Sequence, residues 1–168
     1  MFFTAVKGNL VANGGFETGT VGAPPPEWQS SNVAIVGATL AHTGAQAASL
    51  GQVTPSDPAM LFQDIPVIPG RRYQLTFAWG VNGTAAGDLA VSGIWLSATG
   101  LEIGQGLYVF ISGVPSPAPA AGFYVTVTAL TDTVPAEAAF CRLLFTRSPS
   151  LTATDPTVID DVTFADLN

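Results

Sequence analysis

Carboxylates at the two ends of the chain are the first residues whose type and spacing could do chemistry. Glu17 lies near the start, and the adjacent pair Asp160 and Asp161 lies near the end. Such groups can ligate a hard cation, which takes about six to eight oxygens, or accept hydrogen bonds from loop backbone. Adjacent side chains on a strand point to opposite faces, so one of the two aspartates is expected to face any shared site. His42 is the single histidine. A catalytic imidazole needs a nucleophile or an acidic partner in reach, and the sequence holds no Gly-x-Ser-x-Gly elbow. Turn hydrogen bonding is the role expected of His42. Glycoside hydrolysis needs two carboxyl groups flanking a sugar, yet nothing in the spacing of Asp88, Glu102 and Asp132 makes a pair of any two. The chain is therefore expected not to be an enzyme.

Composition says what kind of scaffold must hold these groups. The chain has 168 residues, 48% of them apolar and 10% charged, with a mean hydropathy of +0.41. That is enough for one sizeable core and too apolar for a disordered chain. No apolar run approaches the length of roughly 18 to 20 residues that a spanning helix needs. Five basic residues against twelve acidic ones give a net charge of −7, which argues against nucleic acid as a partner. Cys141 is the one cysteine. It excludes an internal disulfide and, in its apolar surroundings, reads as a small buried hydrophobe.

Eighteen glycines and thirteen prolines cut the sequence into short segments. Within them apolar residues recur with period two: Tyr73, Leu75, Phe77 and Trp79 share one face of a strand, and Gln74, Thr76 and Ala78 share the other. Residues 123–129 alternate likewise, with Tyr124, Thr126 and Thr128 outward. Further strands are expected at 9–12, 33–36, 47–50, 60–65, 89–96, 106–112, 139–146 and 157–165. Turn signals such as Asn13-Gly14-Gly15, Pro69-Gly70 and Asn82-Gly83 separate them. The Asn82-Gly83-Thr84 triplet, formally a glycosylation acceptor, reads as an ordinary turn. The fold class is all-β, an antiparallel sandwich. We read residues 1–8 as an arm and 9–168 as one domain, with the proline-rich stretch 113–122 as a surface loop.

Four stretches carry a resemblance. They are Asn9-Leu10-Val11-Ala12-Asn13-Gly14-Gly15-Phe16-Glu17, His42-Thr43-Gly44-Ala45-Gln46-Ala47, Gln63-Asp64-Ile65-Pro66-Val67-Ile68-Pro69-Gly70, and Val158-Ile159-Asp160-Asp161-Val162-Thr163-Phe164. Type and order resemble the jelly-roll modules of the carbohydrate-binding, galactose-binding-like superfamily. The opening and closing stretches are also similar to the N-terminal β-domains of collagen-like repeat proteins of spore-forming bacteria, although this sequence carries no Gly-X-Y repeat.

The resemblance implies a structural Ca2+ held by Glu17, one of Asp160 and Asp161, and carbonyls near residues 42–44. The alternative is that Glu17 caps a turn and the aspartates bond loop backbone. It also implies glycan binding by aromatic rings stacked on pyranose faces, with Trp28, Trp95 and Tyr124 as candidates; for each ring, core or lid packing is the competing role. The leading expectation is a structural or adhesive module that self-associates, as a homo-oligomer or fibre, on a spore or cell exterior. The scarcity of charge and the Phe2-Phe3 pair, which must dock on this chain or a neighbour, point that way. Residues 1–7 do not resemble a secretory signal peptide, so export by another route is expected. The alternative function is a carbohydrate-binding module.

Overall fold

The computed structural model describes residues 8–113 and 123–167. The Phe2-Phe3 pair and nearly all of the 113–122 stretch lie outside the described residues. Ten strands form: β1 (Gln29–Ser31), β2 (Val33–Gly37), β3 (Gln46–Leu50), β4 (Ala59–Pro66), β5 (Tyr73–Val81), β6 (Asp88–Leu96), β7 (Glu102–Ile111), β8 (Val125–Leu130), β9 (Phe140–Ser148) and β10 (Thr157–Asp166). Two antiparallel five-stranded sheets pack face to face. Their orders are β1-β4-β9-β6-β7 and β2-β3-β10-β5-β8. From β3 onward the chain alternates between the sheets except at the β6–β7 hairpin, which is the strand order of a jelly roll.

Period-two alternation decides which faces meet. In β5, Tyr73, Leu75, Phe77, Trp79 and Val81 are all buried. Phe77 meets Phe145 of β9 edge-on at 5.2 Å, joining the two sheets. From Phe145 the contact continues to Trp28 at 6.2 Å and on to Phe16 at 5.5 Å. Burying such rings contributes on the order of 2–3 kcal/mol apiece, so this aromatic chain is a main prop of the core.

Residues 9–12 do not form a ladder strand, contrary to expectation, and Ala12 already enters a turn. The register of β10 against β5 shifts between Asp160 and Thr163, and an interrupted strand offers no regular edge for pairing. Asn9 bridges the gap instead. Its Nδ2 donates to Val162 O, while its Oδ1 accepts from the amides of Val11 and Phe164. Val162 N–H also donates to Gly14 O at 2.9 Å. A Cβ on Gly14 would sit 2.1 Å from Val162 O, so the contact requires glycine. The two terminal stretches therefore meet, with Phe16 and Val162 both buried.

The lateral sides of the sandwich differ. On one side β1 is only three residues long. The β2 edge there is covered by a loop, with Gly22 N–H donating to Ile35 O and Ile35 N–H to Ala23 O. On the other side lie the ten residues of β7 and the six of β8.

One buried charge is part of the frame. Arg147 at the end of β9 has no exposed surface. Its guanidinium donates to the carbonyls of Asp57 (3.1 Å), Thr154 (2.6 Å) and Asp155 (3.1 Å), and among the described residues Nε finds no partner. Burial lowers its pKa and the Asp155 charge opposes that shift, so the cation stays paired with backbone dipoles.

Candidate functional site

The loop between β2 and β3 is fixed by carboxylates from both ends of the chain. Asp160 Oδ2 accepts the amides of His42 (2.8 Å) and Thr43 (3.2 Å), and its Oδ1 accepts the amide of Asp161 (2.7 Å). Asp161 turns the other way. Its Oδ2 lies 2.6 Å from His42 Nδ1, and its Oδ1 accepts from the Thr43 hydroxyl at 2.6 Å. Both Glu17 oxygens accept the Ala45 amide, and Oε1 also accepts that of Gln46. Gly44 adopts a φ of +64°, and a Cβ there would sit 2.1 Å from Glu17 Oε1. Tyr124 closes the cluster: its hydroxyl donates to Leu40 O, and its ring lies 5.0 Å from the His42 ring.

Burial pushes the Asp160 carboxyl up to about 6, although three backbone N–H bonds pull it back. The Tyr124 phenol is pushed well above its usual value by burial and by the charges of Asp160 and Asp161. The cluster pairs His42 with the acidic partner Asp161, and the Thr43 and Tyr124 hydroxyls are committed to Asp161 and to Leu40 O. These groups hold one loop.

The structure brings Glu17, Asp160 and Asp161 to the same loop. Ca2+ takes converging oxygens. Here each carboxylate already accepts N–H or O–H donors, and among the described residues no three His, Cys, Asp or Glu side chains converge as ligands. Glu17 and Asp160 accept loop amides, as the alternative reading expects, whereas the Asp161 carboxylate bonds the side chains of His42 and Thr43.

The candidate sugar platforms need correction. Trp28 and Trp95 are core residues, 7% and 3% exposed. Trp28 lies between Phe16 and Phe145 and donates its indole N–H to Asn13 O at 3.1 Å. Trp95 lies beneath Gly106, whose missing Cβ would come 2.2 Å from the indole. Neither ring face is open to a sugar. Tyr124 is half-buried, with its hydroxyl committed to the loop. Cys141 is buried and its thiol is pushed up to about 12, an inert packing group.

Two rings that the sequence reading passed over are open. Tyr108 and Phe110 of β7 are 59% and 55% exposed. Register across the first sheet aligns Tyr108 with Ser92, Leu144, Phe62 and Gln29, and aligns Phe110 with Ala90, Thr146, Met60 and Ser31. Phe62 carries the Arg142 guanidinium at 4.4 Å from its ring centre, and Arg142 also makes a bidentate pair with Asp64. Beside Tyr108 a cleft of about 310 Å³ is lined by Gln105, Gly106, Leu107, Leu130 and Asp132. The alternation of Leu107, Val109 and Ile111 with Tyr108 and Phe110 was the available signal, but with apolar residues on both faces it does not say which face is inner.

The strand order defines a jelly-roll sandwich of the kind found in carbohydrate-binding modules. No protein-family model matches the chain, and no curated protein matches it. Solved structures do. A carbohydrate-binding module of family 61, in complex with β-1,4-galactotriose, matches with a TM-score of 0.61 and 20% identity over 93% of this chain and 97% of that one. The enzymatically active domain of tailspike protein 4 from bacteriophage CBA120 matches with a TM-score of 0.68 and 20% identity over 95% of this chain, which spans 21% of that one. A cyclase from Fischerella sp. TAU, in complex with an indole compound, matches with a TM-score of 0.70 and 13% identity over 96% of this chain and 98% of that one. At these identities the likeness is one of fold, shared by binding modules and enzymes alike.

Proposed function

We propose that this chain is a non-catalytic carbohydrate-binding module acting on a bacterial spore or cell exterior, with Tyr108 as its stacking platform. The observation that carries this reading is the exposed Tyr108 ring beside a cleft lined by Gln105 and Asp132. A pyranose offers an apolar C–H face and a rim of hydroxyls. An aromatic face takes the first, and an amide and a carboxylate take the second. Phe110, two residues along the same face, extends the platform for a longer glycan. The fold shared with the galactotriose-binding module supports the reading. So does the cluster around His42, which is spent on fixing a loop.

Affinity electrophoresis through gels containing a panel of soluble polysaccharides, β-1,4-galactan among them, tests it. At least one polysaccharide retards the protein, and Tyr108→Ala weakens retention at least about tenfold, the scale of a lost stacking contact. Equal retention of the variant, or no retention of the wild type, overturns the reading.

A structural role through self-association is the second reading. It is favoured by the absence of any charged residue between Glu102 and Asp132.

A further inference from the structure

We propose that two copies of this chain pair through β8, edge to edge and antiparallel about a two-fold axis at Val127, extending the second sheet across the dimer. An edge strand carries unpaired N–H and C=O groups, and folds commonly shield such edges with charge, proline, bulges or a covering loop. The β1 and β2 side has such protection. β8, with the sequence Val125-Thr126-Val127-Thr128-Ala129-Leu130, contains no charge and no proline, and its register against β5 is unbroken.

Backbone parity shows what this edge offers. Thr131 N–H donates to Tyr73 O at 2.9 Å. Counting back along the register, Ala129, Val127 and Val125 turn their polar backbone groups toward β5. Thr126 and Thr128 therefore turn theirs outward. A two-fold axis at Val127 sets Thr126 opposite Thr128 of the second copy, and Val125 opposite its Ala129. Threonine meets threonine on the outer face and small apolar residues meet on the inner one, so the strand complements itself in both backbone and side chain.

Charge selects the occupant. Two molecules of net charge −7 repel each other over most of their surfaces. The described residues 103–113 and 123–131, which carry β7 and β8, hold no charged group, so this side meets its own copy with the least repulsion. A basic partner would gain more elsewhere. Exposed apolar side chains gather here as well, with Phe123, Val125 and Leu130 flanking or lying on β8. Tyr108 and Phe110 stand on the outer face of the other sheet, and the cleft beside Tyr108, lined in part by Leu130 of β8, borders the pairing edge.

Sedimentation equilibrium of the whole chain, from about 10 μM to about 1 mM, tests the pairing over the range expected of a small edge interface. The wild type shifts from monomer toward dimer as concentration rises. Thr126→Lys with Thr128→Lys sets like charges opposite each other across the axis and raises the dissociation constant at least about tenfold, with an unchanged Tm showing that the fold is intact. Thr126→Lys with Thr128→Glu sets opposite charges across the same axis and restores association. A wild type that stays monomeric at about 1 mM, or a double-lysine variant that associates like the wild type, overturns the proposal. Tyr108→Ala leaves association unchanged, so pairing and carbohydrate binding fail or stand separately.

Discussion

The amide of His42 donates to the carboxylate of Asp160 at 2.8 Å across 118 residues of sequence. The carboxylate is fully buried, and it anchors a loop to the middle strand of a sheet. Replacing Asp160 with Asn turns an acceptor oxygen into an N–H2 group facing backbone donors. Asp160→Asn is expected to cost about 1–3 kcal/mol and to speed hydrogen exchange at His42 and Thr43, measured by denaturant titration and NMR.

The same pair of proteins tests the titration of Asp160. Its carboxyl is raised from an ordinary 3.8 to about 6 in the fold, so between those values the folded state holds the proton and the unfolded state does not. Stability from this group therefore rises as pH falls from 7 through 6 toward 4, and it levels off below the unfolded value. Asp160→Asn lacks this titration. The wild-type stability minus that of the variant should grow by about 2 kcal/mol from pH 7 to pH 4.5. A flat difference contradicts the assignment.

Calcium should leave the protein unchanged. Because backbone N–H groups already occupy the carboxylates of Glu17 and Asp160, adding CaCl2 or chelator should shift Tm by less than about 1 °C. A bound ion at a hundred times its dissociation constant would stabilise by about 2.7 kcal/mol and raise Tm by several degrees.

Arg147 is expected to be among the most sensitive positions in the core. Arg147→Met keeps much of the packing but leaves three inward carbonyls without donors. The expected loss is about 3 kcal/mol or more, a fall in Tm of about 6–12 °C for a chain of this size. Arg147→Lys, which keeps a charge without the fork, should recover part of it.

Core and surface aromatics should separate cleanly. Trp28→Phe leaves Asn13 O without its indole donor and should lower stability by about 1–3 kcal/mol with carbohydrate retention unaltered. Tyr108→Ala should do the reverse, sparing Tm because that ring is 59% exposed. Thermal melts and affinity gels run on both variants distinguish the two roles.

The architecture was legible where one face is apolar and the other is not. Tyr73, Leu75, Phe77 and Trp79 alternate with Gln74, Thr76 and Ala78, and all four are buried as that pattern requires. The Asn9 to Glu17 and Val158 to Phe164 stretches meet as their resemblance implies. Legibility failed where side-chain type does not report its face. Residues 107–111 are apolar on both sides, so nothing local shows that Tyr108 and Phe110 look outward. Trp95 is buried because Gly106, on the neighbouring strand, leaves room for it. The strand expected over 139–146 stops one residue short of Arg147, since an inward guanidinium breaks the alternation unless the carbonyls around it are known. β1, three polar residues, carries no periodic signal at all.

The strand order also dictates when the molecule can fold. β9 and β10 are the last strands in sequence, yet β9 lies between β4 and β6, and β10 lies between β3 and β5. During synthesis the earlier strands emerge without the ones that join them, so the first layer cannot close before β9 has emerged, nor the second before β10. Such non-local topologies fold slowly and leave raw edges waiting. Truncation just before β9 should thus give aggregates rather than a smaller native core.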